Sequence, residues 1–103
     1  MANYNPELLQ TDVGATAVPL TATQTFASCV IIQADDGNNA AVYVGDPTVT
    51  TGNGYKLGIP VSNVSPSYLE LSAKNGVVLF DLSKIYVVAD GASQKVNTIH
   101  FSS

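Results

Sequence analysis

The chain contains few charged residues and no arginine. Asp, Glu, Lys and Arg make up 12% of its 103 residues, against about a quarter in typical soluble domains. The four basic residues, Lys56, Lys74, Lys84 and Lys95, are scattered and form no stripe or cluster. Because phosphate recognition needs clustered positive charge, we expect neither nucleic acid nor an anionic membrane surface as a partner.

The scarcity of charge also bears on the protein surface as a whole. The net charge is −4 at pH 7, and Ser, Thr, Asn and Gly take places that charged residues usually occupy. Small soluble proteins commonly rely on surface charge to remain dispersed. We therefore predict that partners cover part of the surface; the alternative is a secreted or thermally undemanding monomer.

Cysteine and histidine occur once each, which limits the available chemistry. Cys29 has no disulfide partner in the chain, and its apolar neighbours favour a buried structural thiol. We expect His100 to face solvent or an interface. One histidine and one cysteine are too few for a zinc site, and no serine stands in a Gly-x-Ser-x-Gly elbow. We predict no enzymatic activity, no metal site and no cofactor, with an improvised calcium site at Asp35, Asp36 and Asp46 as the alternative.

Long apolar runs are also missing. No segment approaches the about 20 consecutive apolar residues of a transmembrane helix. The segment Met1–Pro6 has neither the basic nor the apolar region of a signal peptide. We therefore expect a protein that is made in a cytoplasm, stays soluble and has no membrane partner.

Short β-strand signals dominate what the sequence does contain. Runs of β-branched and aromatic residues alternate with turn signals about every 8–12 residues, and no segment shows helical periodicity. We predict an all-β fold, a compact single-domain β-sandwich or barrel, jelly-roll-like, with about seven to eight short antiparallel strands. The strongest strand is expected over Phe26–Ala34. Ile31, Val44, Leu79 and Val87 are predicted to point inward.

The N-terminal residues are interpreted as an arm and not as core. Pro6 interrupts regular structure and Gly14 ends the segment, so we predict an extended arm over residues 1–14 and a β-sandwich domain over residues 15–103. Tyr4, Leu8 and Leu9 are apolar residues on this otherwise polar segment. We predict that these three side chains dock on a partner and add little to the fold.

A polar loop over residues 46–54, between two strand signals, is predicted to be a docking surface. We expect Asp46 to accept backbone hydrogen bonds that hold a turn, and Thr48 and Thr50 to offer hydroxyls to a neighbouring chain. The loop's Gly-Asn-Gly segment is expected to use positive-φ backbone. Tyr55 follows the loop and completes the surface. The competing interpretation is that these residues merely finish an ordinary hairpin.

A set of tyrosines supports an alternative function. Aromatic rings are common platforms for stacking sugars, although tyrosines in sheets more often seal edges and interfaces. The tyrosines concerned are Tyr43, Tyr55, Tyr68 and Tyr86. They keep open a carbohydrate- or receptor-binding module as the alternative.

Several segments together resemble small virion proteins of tailed bacteriophages. They are Val30-Ile31-Ile32-Gln33-Ala34-Asp35, Val42-Tyr43-Val44-Gly45-Asp46, Thr48-Val49-Thr50, Asn53-Gly54, Leu57, Asp81-Leu82-Ser83-Lys84-Ile85-Tyr86-Val87 and Gln94-Lys95-Val96. After Leu57 the chain departs from the pattern, with Gly58-Ile59-Pro60 leading into a longer insert over residues 61–74. The resemblance covers roughly residues 29–101 of the chain.

The resemblance implies a structural component of the virion. It implies a capsid decoration (cement) protein on the outside of the particle, or a related module of a head fibre or tail. The partners would then be the major capsid protein and further copies of the chain. A homotrimer is favoured, because cement proteins commonly cover local three-fold points of a shell and because closed symmetry hides sheet edges.

Overall fold

A computed structural model describes residues 5–60, 67–72 and 80–102. The predicted docking residue Tyr4, the predicted core residue Leu79 and most of the insert over residues 61–74 lie outside these ranges. No helix in the described ranges is long and apolar enough to cross a membrane.

The described residues form ten β-strands, which confirms the all-β prediction. Leu82–Lys84 adds one turn of 3₁₀ helix between the eighth and ninth strands. The strands are β1 Asn5–Val13, β2 Val18–Pro19, β3 Phe26–Ala27, β4 Cys29–Ala34, β5 Val42–Gly45, β6 Tyr55–Leu57, β7 Tyr68–Ser72, β8 Phe80–Asp81, β9 Tyr86–Ala89 and β10 Gln94–Ser102. The strand count exceeds the predicted seven to eight because β3 and β8 are two-residue strands that pair with each other.

Eight of the strands form two four-stranded sheets with jelly-roll connectivity. Sheet A has the order β1-β10-β4-β7 and sheet B the order β2-β9-β5-β6. The antiparallel pairs β1–β10, β2–β9, β4–β7 and β5–β6 are nested along the chain, and they alternate between the two sheets. This is the arrangement obtained when a long antiparallel hairpin is rolled into two facing sheets.

The core lies between sheets A and B and is built by alternate residues of their strands. In β4, Val30, Ile32 and Ala34 are buried while the residues between them are only half-buried. The facing sheet contributes Val42 and Val44 of β5 in the same alternating way. The buried apolar cluster consists of Val13, Leu20, Ala27, Val30, Ile32, Ala34, Val42, Val44, Leu57, Leu82, Val87, Ala89 and Val96.

The predicted orientation of β4 is wrong by one residue. Val44 and Val87 point inward as predicted, but Ile31 is half-buried and lies on the opposite face from Val30 and Ile32. Val30, Ile31 and Ile32 are all β-branched, so the local sequence does not distinguish the two faces. Because side chains alternate along a strand, Ile31 belongs to the outer face of sheet A.

The segment predicted as an arm is a strand of sheet A, which corrects the arm boundary for residues 5–13. β1 pairs with β10 over nine residue pairs, from Asn5 opposite Ser102 to Val13 opposite Gln94. Val13 is buried in the core, and Leu9 packs against it. Pro6 is compatible with this strand because β1 lies at the edge of the sheet, where one side of the backbone needs no partner strand.

The connection between β4 and β5 is tied to β10 by buried amides. Asn38 Oδ1 accepts a hydrogen bond from the backbone N–H of Lys95 (2.8 Å), and Asn38 Nδ2 donates to the Lys95 carbonyl (2.8 Å). Gln94 makes similar bonds to the backbone at Asn39 and Ala40. These contacts fix the position of residues 35–41 relative to sheet A.

Candidate docking surfaces

The loop between β5 and β6, residues 46–54, is a rigidly hydrogen-bonded turn. Asp46 Oδ1 accepts from the backbone N–H of Thr48 (2.8 Å) and from its hydroxyl (2.6 Å), and the Asp46 carbonyl accepts from the Val49 N–H (2.9 Å). The two bonds from Thr48, first that of its hydroxyl and then that of its N–H, lower the pKa of Asp46. Asp46 therefore holds the Pro47 turn as predicted, with its carboxylate ionised at neutral pH.

The far end of this loop is closed by a second set of local bonds. Asn53 Oδ1 accepts from the Thr50 N–H (2.7 Å), and the Thr50 hydroxyl oxygen accepts from the Gly52 N–H (3.2 Å). Thr48 and Thr50 are both exposed. The Thr48 hydroxyl donates within the loop, whereas the Thr50 hydroxyl accepts within it.

Val49 anchors the loop, and its side chain leaves no room for a Cβ at the nearby Gly45 and Gly54. Val49 is buried beneath its exposed neighbours. A Cβ on Gly54 would lie 2.7 Å from Val49 Cγ2 and 2.7 Å from Tyr43 Cβ, and a Cβ on Gly45 would lie 2.8 Å from Val49 Cγ2. Neither Gly52 nor Gly54 has the positive φ that we predicted. Close packing around Val49, and not left-handed backbone, excludes side chains at residues 45 and 54.

The predicted docking residues do not form one surface. Tyr55 begins β6, directly after the loop, and is 55% exposed. Leu8 and Leu9 are split by the alternation of β1: Leu8 is 80% exposed on the outer face of sheet A, whereas Leu9 packs against the core. Leu8 therefore belongs to a different surface from Asp46, Thr48 and Thr50, and Leu9 is part of the fold.

The outer face of sheet A carries two apolar rows across its strands. One row runs Leu8, Ile99, Ile31, with Glu70 of β7 at its end. The parallel row contains Pro6, Phe101, Cys29 and Ser72. Leu8, Ile31 and Ile99 line a shallow depression of about 490 Å³ on this face.

The other half of the same face is polar. Gln10, Asn97, Gln33 and Tyr68 form the next row, in which Gln10 Nε2 donates to Asn97 Oδ1 (2.9 Å). Tyr68 is 59% exposed. The outer face of sheet A thus changes from apolar to amide along the strand direction.

A row of charged residues follows the amides. Lys95 stands between Asp12 of β1, its pairing partner, and Asp35, whose N–H bonds to the Lys95 carbonyl (3.1 Å). Asn97 Nδ2 donates to Asp35 Oδ1 (2.8 Å), and this bond, followed by that from the Gly37 N–H, lowers the pKa of Asp35. The outer face of sheet A therefore ends in a short row of alternating charge.

The four tyrosines do not share one platform. Tyr43 of β5 and Tyr86 of β9 lie on the outer face of sheet B, where Tyr43 OH donates to Asp90 Oδ2 (3.1 Å). Burial, followed by the bond to Asp90, raises the pKa of Tyr43. Tyr68 lies on the outer face of sheet A, and Tyr55 is opposite the core residue Val44. Of these four rings, Tyr43 and Tyr86 are the pair that share a face and can contact one ligand together.

The positions of His100 and Cys29 differ from the predictions. His100 is 1% exposed on the inner face of β10, with Nε2 3.3 Å from Glu7 Oε2, so the expectation of solvent or an interface is wrong. Cys29 is half-buried on the outer face of sheet A, and burial, followed by the charge of Glu70, raises the pKa of its thiol. A raised pKa disfavours the thiolate, so Cys29 is a poor nucleophile.

The described residues contain no group of three or more His, Cys, Asp and Glu side chains that could hold a metal ion. Asp35 and Asp46 are instead used locally, Asp35 by Gly37 and Asn97, and Asp46 by Thr48. The alternative calcium site at Asp35, Asp36 and Asp46 is therefore not formed among these residues.

Comparison with known proteins adds no relative. The chain matches no protein-family model, no curated protein sequence and no solved structure.

Proposed function

We propose that this protein is a structural virion protein that associates with copies of itself and docks on the outside of a phage capsid, decorating and stabilising it. The observation that carries the proposal is the apolar outer face of sheet A, on which Leu8 is 80% exposed. The exposed Leu8 continues into the half-buried Ile99 and Ile31 across the strands, and a contiguous apolar patch on a soluble protein marks an interaction surface. The low charge of the whole chain supports the same conclusion, because covered surface needs little charge to stay dispersed.

The fold is suited to a structural part. Jelly rolls are common in viral capsid domains and also in lectins, so the fold is compatible with the proposal without deciding it. The loop between β5 and β6 supplies a second, polar surface, fixed by its own hydrogen bonds before any partner arrives. A pre-ordered loop loses little conformational entropy on binding, which favours docking.

In this proposal the loop between β5 and β6 is the surface that docks on the capsid shell. Thr48, Thr50 and Tyr55 are exposed, and Asp46 keeps the loop in shape. The major capsid protein is the proposed partner, and the virion is the proposed location. The resemblance favours a homotrimer as the self-associated form; the two-fold dimer inferred below is the competing form, and the mass in solution distinguishes the two.

Adsorption to purified capsids tests the proposal. The wild-type chain is expected to sediment with capsids, and the double variant Thr48→Ala/Thr50→Ala is expected to adsorb about tenfold more weakly. The variant also loses the Thr48–Asp46 and Gly52–Thr50 hydrogen bonds, so we expect it to remain folded with a slightly lower melting temperature. The matched control is Thr21→Ala/Thr23→Ala, in the connection between β2 and β3, where the Thr21 hydroxyl also makes a local bond (2.8 Å). This control is expected to adsorb like the wild type.

Two results would count against the proposal. Equal adsorption of the two double variants to capsids would mean that the loop has only a structural role. Binding of the wild-type chain to host polysaccharide, lost in Tyr43→Ala or Tyr86→Ala and accompanied by no adsorption to capsids, would instead favour the carbohydrate-binding alternative, since these two rings share one face.

A further inference from the structure

We infer that the outer face of sheet A binds the same face of a second copy of this chain, through a two-fold axis parallel to the strands. The inference deepens the proposed function, since it rests on the self-association proposed there and names its surface. Its evidence is the order of residues across the sheet, which makes the face complementary to itself.

The complementarity follows from the strand order β1-β10-β4-β7. Rotation about a two-fold axis parallel to the strands places each row of residues in one copy opposite the same row in the other copy. The rotation also reverses the order of the strands, so β10 of one copy faces β4 of its partner. Ile99 of β10 then faces the partner's Ile31 of β4, and Ile31 faces the partner's Ile99, because Ile31 and Ile99 are directly paired within one chain. The centre of each apolar half meets the centre of the other, while at the two margins Leu8 of β1 faces the partner's Glu70 of β7.

The charged row is also matched by this operation. Lys95 lies on β10, and Asp35 follows the end of β4 at the same level, with its N–H bonded to the Lys95 carbonyl. Each Lys95 therefore faces the partner's Asp35, and two reciprocal ion pairs form. Among the described residues no carboxylate lies within ion-pair distance of the Lys95 ammonium, which leaves this group available for the partner.

The area of the face agrees with a modest but specific contact. Four strands spaced about 4.8 Å apart, over about seven residues each, cover about 19 by 23 Å, or about 440 Å² per copy. Two copies thus bury about 900 Å² in projection, near the about 1,000 Å² that separates specific interfaces from incidental ones. Packing of two sheets through apolar side chains is also the way in which β-sandwiches are built.

Charge reversal with rescue tests the pairing. Lys95→Asp places two aspartates at each of the two contacts, and Asp35→Lys places two lysines there, so each variant alone is expected to dimerise at least about tenfold more weakly than the wild type. An equimolar mixture of the two variants restores both opposite-charge pairs, and we expect it to form heterodimers of near wild-type affinity. The mass is measured by sedimentation equilibrium.

Two further variants keep the test interpretable. Lys56→Asp makes the same charge change on β6 of sheet B and is expected to leave dimerisation unchanged. Asp35 also accepts bonds from Gly37 and Asn97, so Asp35→Lys is checked for folding by thermal unfolding. If it does not fold, Ile99→Glu, which places a carboxylate in the centre of the apolar half, is expected to give a monomer.

The outcomes separate this inference from the proposed function. A mixture that stays monomeric, a Lys95→Asp chain that dimerises like Lys56→Asp, or a wild-type trimer would overturn the pairing. Any of these results, with adsorption of the wild type to capsids intact, would leave capsid decoration standing. Rescue in the mixture without adsorption of the wild type to capsids would support the pairing and contradict the proposed function.

Discussion

Gln94, at the start of β10, is a buried amide with both ends satisfied. Its Oε1 accepts from the N–H groups of Asn39 (2.8 Å) and Ala40 (3.1 Å), and its Nε2 donates to Asn39 Oδ1 (2.7 Å) and the Ala92 carbonyl (2.8 Å). We predict that Gln94→Ala lowers the free energy of unfolding by about 2–4 kcal/mol, because it strands backbone groups in a part-buried site. Urea denaturation measures the change.

The matched control for this prediction is an exposed glutamine. Gln24 makes one long bond to Asp81 Oδ2 (3.3 Å). Gln24→Ala is expected to change the free energy of unfolding by less than about 0.5 kcal/mol. Equal effects of the two substitutions would mean that the amide bonds of Gln94 do not hold the β4–β5 connection.

Three aspartates make the fold sensitive to acid. The Asn97 amide, the Thr48 hydroxyl and the Ser83 hydroxyl are the main causes that lower the pKa values of Asp35, Asp46 and Asp81. A carboxyl whose pKa is lower in the folded state than in the unfolded one stabilises the fold above the unfolded pKa, and that stability is lost as the pH falls through the folded pKa.

Thermal unfolding against pH tests this linkage. We expect a constant melting temperature from about pH 7 to about pH 5 and a progressive fall below about pH 4, since the unfolded carboxyls titrate near that value. A melting temperature that stays level or rises between about pH 4 and about pH 2 would contradict the account of these three side chains.

At the scale of secondary-structure elements, adjacent isoleucines of β4 report on opposite faces of sheet A. Ile32 is fully buried, whereas Ile31 lies on the outer face. Ile32→Ala is expected to lower the free energy of unfolding by about 2–5 kcal/mol, and Ile31→Ala by less than about 1 kcal/mol when measured on dilute, monomeric protein. The reverse order would mean that the register of β4 is displaced by one residue.

β1 is an edge strand on which the neighbouring strand depends. Deletion of residues 2–12 removes nearly all of the pairing with β10 and uncovers part of the core near Leu9. We predict a melting temperature lower by at least about 10 °C, or loss of cooperative unfolding, because several kcal/mol of buried contacts disappear. An unchanged melting temperature would restore the interpretation of this segment as an arm.

The elements differ in how far their sequence determines them. The turn at Asp46 was predictable because an aspartate bonding two residues ahead is a local device. The orientation of β4 was not, since three successive β-branched residues leave both faces equally apolar. β1 was missed because its partner, β10, lies at the far end of the chain, so only the pairing shows that Leu9 and Val13 point inward.

The docking surfaces show the same distinction between local and long-range information. The exposed loop of residues 46–54 could be located from its turn residues alone. The outer face of sheet A could not, because Leu8, Ile31 and Ile99 are far apart in sequence and meet only through the jelly-roll order of strands. The low content of charge predicts that partners cover part of the surface, without indicating which part.

At the scale of the whole molecule, the two candidate surfaces lie on different sheets. The loop joins β5 and β6 of sheet B, whereas the apolar face belongs to sheet A. The Lys95–Asp35 row lies at the β4–β5 connection, and the loop lies at the other end of β5. One copy can therefore engage a second copy through sheet A and a shell through the loop at the same time.

The most direct test of this account is the mass of the unmodified chain in solution. Sedimentation equilibrium from about 1 µM to about 300 µM detects a dimer whose dissociation constant lies in the micromolar range. We predict that the mass rises from 10.7 kDa to about twice that value across this range. A mass that remains at 10.7 kDa at the highest concentration would contradict the claim that the outer face of sheet A is covered by another copy.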